Sequence, residues 1–427
     1  MATKAPLARN VPGPEARQGR HARHATSRAR TFRRVTGLGL ALFGVLAVAA
    51  LLTLVFVGIS SPGKLLPGHG TGTTGTPPKA TTAGHGAQGS PGATGATTAT
   101  TPGATTPSPG AVTVAVGRTT WQLPAPIGDE VALAVPGSAT QVEILGGMTT
   151  GNQRAQGIFT MNLSTGSLTQ VGDLASSLAD AAGALTGGRG TVFGGAAPTP
   201  SDAVQALASL APGRASAPVI GTLPAPRSGA ATAVVGTTTF LVGGEDGTAP
   251  EATVLATTDG RHFTAVATLH QPVADPAVAA VGSKLYVFGG IALSGPSAGK
   301  AVDTVQVVDT VARTSAAVGA LPVPLAGASA VVLEGHVLVL GGDTNAGGTL
   351  GSIGTSATVW SYVPGTARSG SRAAAGTVHV AGHLFVPVAR AGVAVVGNTA
   401  WIVGGDSDGA PVTTVQTVTP GSPGAAS

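Results

Sequence analysis

The sequence contains no cysteine. Disulfides, thiolate zinc sites, a cysteine nucleophile and a cysteine-linked lipid anchor are therefore excluded. Aromatic residues are scarce at 3%, so a core must be built from Val, Leu, Ala and Ile. Charged residues make up only 10% of the chain, against about 25% in an average soluble domain. The charge present is unevenly placed. Residues 1–35 hold nine Lys/Arg and one acid, Glu15, whereas residues 111–427 hold twelve Lys/Arg against seventeen Asp/Glu. The formal net charge of +5 therefore belongs to a short N-terminal arm, and the long C-terminal part is mildly acidic. Phosphate contacts need clustered cations, so that part is not expected to bind nucleic acid.

The same unevenness divides the chain. Residues 1–35 read as a basic, disordered cytoplasmic tail. No charged residue occurs between Arg34 and Lys64, and Leu38–Ile59 is almost wholly apolar. At about 1.5 Å per residue that run is long enough to cross a bilayer. A transmembrane helix is expected over residues 36–60, with the arginine excess before it holding the N-terminus in the cytoplasm. The competing reading is a cleaved signal peptide. Its apolar region would be about 7–15 residues and would end on a small-x-small site, which Val57-Gly58-Ile59-Ser60-Ser61 does not supply. Residues 61–111 are rich in Thr, Gly and Pro and lack large apolar side chains. Such a segment cannot offset its ordering entropy and reads as a linker, of a composition that also suits O-glycosylation.

Residues 112–422 carry a repeat. Six glycine pairs each close a short apolar run: Gly146-Gly147, Gly194-Gly195, Gly243-Gly244, Gly289-Gly290, Gly341-Gly342 and Gly404-Gly405. Successive pairs lie 48, 49, 46, 52 and 63 residues apart. Gly187, Gly236, Gly282 and Gly397 each stand seven residues before their pair, and Gly335 stands six before its own. The unit reads as strand, tight turn, strand. Two further strand signals follow, as in Ala252–Thr257 and His262–Leu269, and a proline-marked corner ends the unit. Four strands per repeat make a propeller blade. After the sixth pair only Val412–Val418 reads as a further strand, and Val112–Val116 is spare before the first. The N-terminal strand is expected to complete the last blade and close a ring, which removes exposed edges.

At these residues the chain resembles kelch-repeat proteins, whose period is near ~50 residues. The resemblance rests on the glycine doublet after an apolar strand, the spacing and the proline-marked corner. The downstream tyrosine and tryptophan of that family are mostly missing, with only Trp360 and Tyr362 in the fifth copy. The resemblance implies an all-β, six-bladed propeller, and a binding platform more often than an enzyme. Copper-radical oxidation of the kind found in that family needs a cysteine-crosslinked tyrosine, which this chain lacks. Sialidase-type hydrolysis needs an arginine triad and a nucleophilic tyrosine, for which too few residues remain.

Candidate functional residues follow from blade geometry. Acids stand just after three of the pairs: Glu245-Asp246, Asp343 with Asn345, and Asp406 with Asp408. The loops that carry them lie on the face from which the chain enters the next blade. Asp180, Asp275 and Arg390 each stand fourteen residues before a pair and should edge that face, with Arg227 nearby. A polar ligand or cation site at the channel mouth is one reading. Ordinary Asp and Asn turn chemistry is the other. Asp406-Ser407-Asp408-Gly409 lacks the later ligands of an EF-hand. Thr257-Thr258-Asp259-Gly260 is similar in part to a sialidase Asp-box, itself a hairpin turn. His379 and His383 are broken by Gly382, and no metal site or cofactor is read. The expectation is a single-pass bacterial membrane protein that displays its propeller outside the cell. There it would act as a binding or scaffolding module for a protein or glycan. The alternative is an envelope carbohydrate-modifying enzyme, epimerase-like or mutarotase-like, using the acidic face.

Overall fold

In the computed structural model, residues 112–208, 215–344, 354–365 and 374–421 are described. The basic tail, the apolar segment, the linker and Asn345 lie outside them. No helix among the described residues is long and apolar enough to cross a membrane. The described chain is all-β.

Among the described residues, six sheets of four or five strands follow one another along the sequence, beside three small ribbons of two or three short strands. Sheet 1 runs from its inner strand outward as Val131–Ala134, Gln141–Leu145, Gly157–Asn162 and Leu168–Leu174. Sheet 2 is Ala182–Thr186, Arg189–Phe193, Ala203–Ala206 and Val219–Thr222. Sheet 3 is Ser228–Val235, Thr238–Glu245, Thr253–Thr257 and Thr264–Thr268. Sheet 4 is Ala277–Val281, Lys284–Phe288, Thr304–Asp309 and Thr314–Ala320. Sheet 5 is Ser329–Leu333, His336–Leu340, Thr358–Val363 and Thr377–His383. Sheet 6 is Gly392–Val396, Thr399–Val403 and Val415–Pro420, completed by the N-terminal strand Val114–Arg118. That last pairing is antiparallel from Val114↔Pro420 to Arg118↔Gln416. The spare strand seen in the sequence thus finishes the final sheet. Ala215–Ala217, in the third connection of sheet 2, reaches back to pair parallel with Leu168–Leu174 and covers the outer edge of sheet 1.

The second strand of each sheet is largely buried because both of its faces are covered. His336–Leu340 and Lys284–Phe288 are buried at all but their first residue. The core is accordingly split into six clusters, one between each successive pair of sheets. The sixth joins sheet 6 to sheet 1 through Ala394, Val403 and Val415 against Val142, Ile144 and Met161. Each fully buried Val, Leu or Ile in these clusters contributes about 1.5–3 kcal/mol.

The glycine pairs are the junctions between sheets. All twelve glycines have positive φ, from 55° to 105°. A Cβ on the first glycine of each pair would run into a backbone carbonyl of the next sheet's entering segment: Leu178, Arg227, Val273, Leu325, Val388 and, across the closure, Ile127. At five of the junctions the second glycine's N–H donates to that same carbonyl, as from Gly342 to Val388 at 2.9 Å and from Gly405 to Ile127 at 2.9 Å. Glycine is needed both for the left-handed backbone and for the approach.

A second tie has no counterpart in the sequence reading. Gln306 in the third strand of sheet 4 accepts from Gln271 N at 2.8 Å and donates to Gln271 O at 2.9 Å. Gln416 in sheet 6 does the same to Val386, at 2.9 Å in both directions. Gln205 in sheet 2 accepts from Ala175 N at 2.7 Å. All three are buried and each holds the corner that leads in from the preceding sheet. A local register shift precedes Gln205 and Gln306. It also precedes Phe159, Leu255 and Trp360 in sheets 1, 3 and 5, where an apolar residue takes the glutamine's place.

Candidate functional site

The six segments that enter the inner strands meet at one end of the molecule. Asp129, Asp180, Gly229, Asp275, Gly327 and Arg390 hold equivalent positions there, two residues after the carbonyl that caps each junction. Their N–H groups and carbonyls form an unbroken cycle. Asp180 N donates to Asp129 O, Gly229 N to Asp180 O, Asp275 N to Gly229 O, Gly327 N to Asp275 O, Arg390 N to Gly327 O and Asp129 N to Arg390 O, over 2.7 to 3.2 Å. All six have φ between 50° and 61°. This region is costly for any residue with a Cβ and is occupied here by four of them. Strain held in place by surrounding structure is a mark of functional positions.

The two ring glycines make room for their neighbours. A Cβ on Gly229 would lie 2.7 Å from Asp275 Oδ1, and one on Gly327 would lie 2.8 Å from Arg390 Cγ. Asp275 thus leans over Gly229, on the side where Asp180 stands in the ring, and its nearness disfavours ionisation of Asp180. Arg390 leans over Gly327, and its Nε lies 3.3 Å from both Asp129 Oδ1 and Asp406 Oδ2. Asp406 itself rests over Gly128, whose missing Cβ would lie 2.5 Å from Asp406 Oδ1.

Below the ring is a cavity of about 250 Å³. Its polar lining is Asp129, Glu130, Asp180, Asp275 and Arg390, and its wall is mainly Ala, Gly and Val from the inner strands. The low-dielectric surroundings disfavour charge on the carboxyls. Burial pushes Asp129 up to about 7; Arg390 opposes the shift, while Asp406 and Asp275 add to it. Burial likewise pushes Glu130 up to about 8, against the N–H of Gly392, which Oε1 accepts at 3.0 Å. Asp180 is raised well above the carboxylate range by burial first and by Asp275 and Asp129 next. For Arg390, burial works against the cation, but the facing carboxylates outweigh it and raise its pKa.

The residues expected at or near this face fall into four groups. Asp275, Arg390 and Asp406 converge at the mouth, joined by Asp180. Asp246 and Asp408 are turn residues. Asp246 Oδ1 accepts from Thr248 N, Thr248 Oγ1 and Ala249 N, which holds its carboxyl below the usual range. Asp408 is exposed with φ 51°, and its N–H donates to Thr355 Oγ1 at 3.0 Å. Glu245 and Asp343 are half-buried at the ends of their junctions, where Asp343 exchanges backbone hydrogen bonds with Ala326. Arg227 belongs elsewhere. It is 2% exposed, and its guanidinium donates to Gly243 O, Thr253 O and Glu251 Oε2 inside sheet 3. Its long side chain runs along the junction glycine Gly244, so it is a crosslink and not part of the mouth.

Asp129 and Glu130 were not singled out in the sequence. Asp129 stands seventeen residues before its glycine pair, because the hairpin of sheet 1 has a longer turn, between Ala134 and Gln141. Aligning the copies on the entering segment rather than on the glycine pair would have found it. The Asp-box-like turn is structural, as expected: Asp259 Oδ1 accepts from Arg261 N and His262 N. Trp360, one of the two downstream aromatics of the fifth copy, is buried at 9% exposure.

Neither a family model nor a curated protein matches this chain.

Proposed function

We propose that this chain is a six-bladed, kelch-like β-propeller held outside the cell by an N-terminal anchor, and that it serves as a binding module whose ligand enters at the carboxylate-lined mouth. The observation that carries this reading is the gathering of Asp129, Asp180, Asp275 and Arg390 at the lining of one cavity, with Arg390 held between Asp129 and Asp406. Three supports come from the scaffold. The six sheets are joined by glycine pairs in kelch-like register, the apolar clusters run round without a gap, and the backbone cycle closes on itself. A rigid ring holding strained polar residues suits binding better than a mobile loop would.

The test is a ligand and glycan array on the full-length chain in detergent, repeated with Asp275→Asn and Arg390→Gln. A ligand of the mouth loses at least about tenfold in affinity with either variant, more than 1.4 kcal/mol. Ligands that bind the variants as well as the parent would remove the mouth from the reading. Protease shaving of intact cells checks the topology, and a propeller shielded from added protease would reverse it.

One observation favours a second reading. Burial pushes Asp129 up to about 7 and Glu130 up to about 8, the range that acid and base groups of an epimerase or mutarotase need. Sugar interconversion by the parent, lost in Glu130→Gln, would establish catalysis.

A further inference from the structure

We propose that the cavity below the ring takes a neutral amide group, and that Glu130 holds the carbonyl oxygen of that group by a hydrogen bond donated from its own carboxyl. This rests on the binding reading above and names the chemistry of the same site.

Glu130 is fixed across the closure between sheets 6 and 1. Its Oε1 accepts from Gly392 N at 3.0 Å. A Cβ on Gly392 or on Gly404 would lie 3.0 Å from that same oxygen, so two glycines of the last sheet shape the seat of the carboxyl. The other oxygen, Oε2, has no hydrogen-bond partner. The side chain is 6% exposed and lines the cavity. A buried polar atom without a partner is rare in a folded protein and asks for a reason.

The charges around Glu130 decide what that atom offers. Among the described residues no cation forms an ion pair with it. Asp129, next to it in the chain, and Asp406, from the segment after the sixth glycine pair, both disfavour its ionisation. Arg390 lines the cavity but is held between Asp129 and Asp406, and Arg154 is felt by Asp129. Asp180 and Asp275 complete the polar lining. A buried carboxylate without a counter-ion is costly, so the neutral acid is favoured. Burial accordingly pushes Glu130 up to about 8. With Oε1 accepting from Gly392, the proton sits on Oε2, and the open atom is a donor. It needs an acceptor in the cavity, which a cation cannot supply.

The rest of the cavity narrows the class. Its volume is about 250 Å³. Sites that enclose a whole drug-sized ligand run to about 300–1,000 Å³, so this one takes a single compact group. The Ala, Gly and Val wall suits a small apolar part beside the polar one. An amide is neutral, presents a carbonyl to Glu130 and turns an N–H toward the carboxyls of the ring, which accept it. A carboxylate of the same shape lacks that N–H and meets the ring acids as a like charge.

The experiment uses the full-length chain in detergent and three isosteric probes: acetamide, acetate and acetamidinium. Each is titrated at millimolar concentration and followed by ligand-observed NMR. At pH 6.5 acetamide is expected to bind at least about fivefold more tightly than either ion, since each ion leaves one side of the site unpaired. The complex holds the Glu130 proton, so acetamide affinity is full at pH 6.5 and falls about tenfold or more by pH 9.5. Glu130→Gln preserves both hydrogen bonds, its oxygen accepting from Gly392 and its NH2 donating to the probe. It is expected to bind acetamide within about twofold of the parent at pH 6.5 and without the loss at pH 9.5. Glu130→Leu, checked for an unchanged β-sheet spectrum, weakens binding at least about fivefold. If that variant does not fold, the pH profile of the parent set against that of Glu130→Gln decides. Tighter binding of acetate or acetamidinium would overturn the inference. A pH dependence that persists in Glu130→Gln would overturn it too, because it would belong to Asp129. So would failure of acetamide to bind. A ligand from the array that is lost in Asp275→Asn or Arg390→Gln would, in that case, leave the binding reading standing.

Discussion

Asp275 and Arg390 could be placed at the mouth by counting back from the glycine pairs. Gly229 and Gly327 stand at the same count and look like any other glycine among 66. Their meaning is steric: each leaves open the space that the following ring side chain occupies. Gly229→Ala adds a Cβ 2.7 Å from Asp275 Oδ1 at a φ of 59°. It is expected to lower unfolding stability by about 1–2 kcal/mol, measured by urea denaturation, and to separate the carboxyls of Asp180 and Asp275. Glu143 shows the opposite kind of position. It is 0% exposed in the second strand of sheet 1, and neither oxygen has a hydrogen-bond partner. Burial pushes it up to about 7. The folded state therefore holds a proton that the unfolded state releases, and stability from this group is lost as pH rises from about 4.5 to 7. Glu143→Gln is expected to stabilise the protein by about 1–2 kcal/mol at pH 8 after discounting for screening and to change little at pH 4. A parent and variant with equal melting temperatures at pH 8 would show the carboxyl to be solvated.

At the scale of the hairpin, two sets of glycines seven residues apart do different work. Those in the turn, such as Gly236, Gly282 and Gly397, have positive φ and open space around the missing Cβ. Those in the pairs have positive φ and a carbonyl of the next sheet in the way. Gly397→Ala is expected to cost about 1 kcal/mol, the left-handed penalty alone. Gly341→Ala drives a Cβ into the Val388 carbonyl and must also part sheets 5 and 6, so its cost is expected to exceed 3 kcal/mol, in the range of severe core disruption. Equal losses in calorimetry would mean that the pairs serve turn geometry only. The seven-residue offset and the hairpin were legible because both rest on local backbone rules. The glutamine ties were not: Gln205, Gln306 and Gln416 each follow a valine in a short strand, and nothing local says that their partners lie about thirty residues upstream.

The set of six sheets is closed by a strand from its own N-terminal side. Val114–Arg118 pairs along its full length with Val415–Pro420 and seals an edge that would otherwise template association. Removing residues 112–118 is expected to lower the denaturation midpoint and produce dimers or larger species, read by light scattering; a monomer of unchanged midpoint would show that the closure is dispensable. The pH response is also a property of the whole. Asp129, Glu130, Glu143 and Asp180 are all raised by burial, and each makes the folded state the better proton binder. Stability contributed by them is complete below about pH 4 and declines toward pH 8. Asp246 and Asp259, lowered by their turn hydrogen bonds, act oppositely, and their contribution is lost below the normal carboxylate range. The melting temperature is therefore expected to be higher near pH 5 than at pH 8, and a curve rising across that interval would contradict the buried, protonated carboxyls.

The sequence by itself determined the six inner hairpins, the spare N-terminal strand and the direction from which polar residues approach the mouth. Each depends on contacts within a few residues or on a repeat that the glycine pairs mark. Only the tertiary structure decided which of those residues share a site. It turned Arg227 into sheet 3, kept Asp246 and Asp408 in their turns, and brought Asp129 and Asp180 beside Asp275 and Arg390. The reason is geometric: neighbours in the ring come from segments about fifty residues apart, and a side chain's reach across an empty glycine is set by the curvature of the closed cycle.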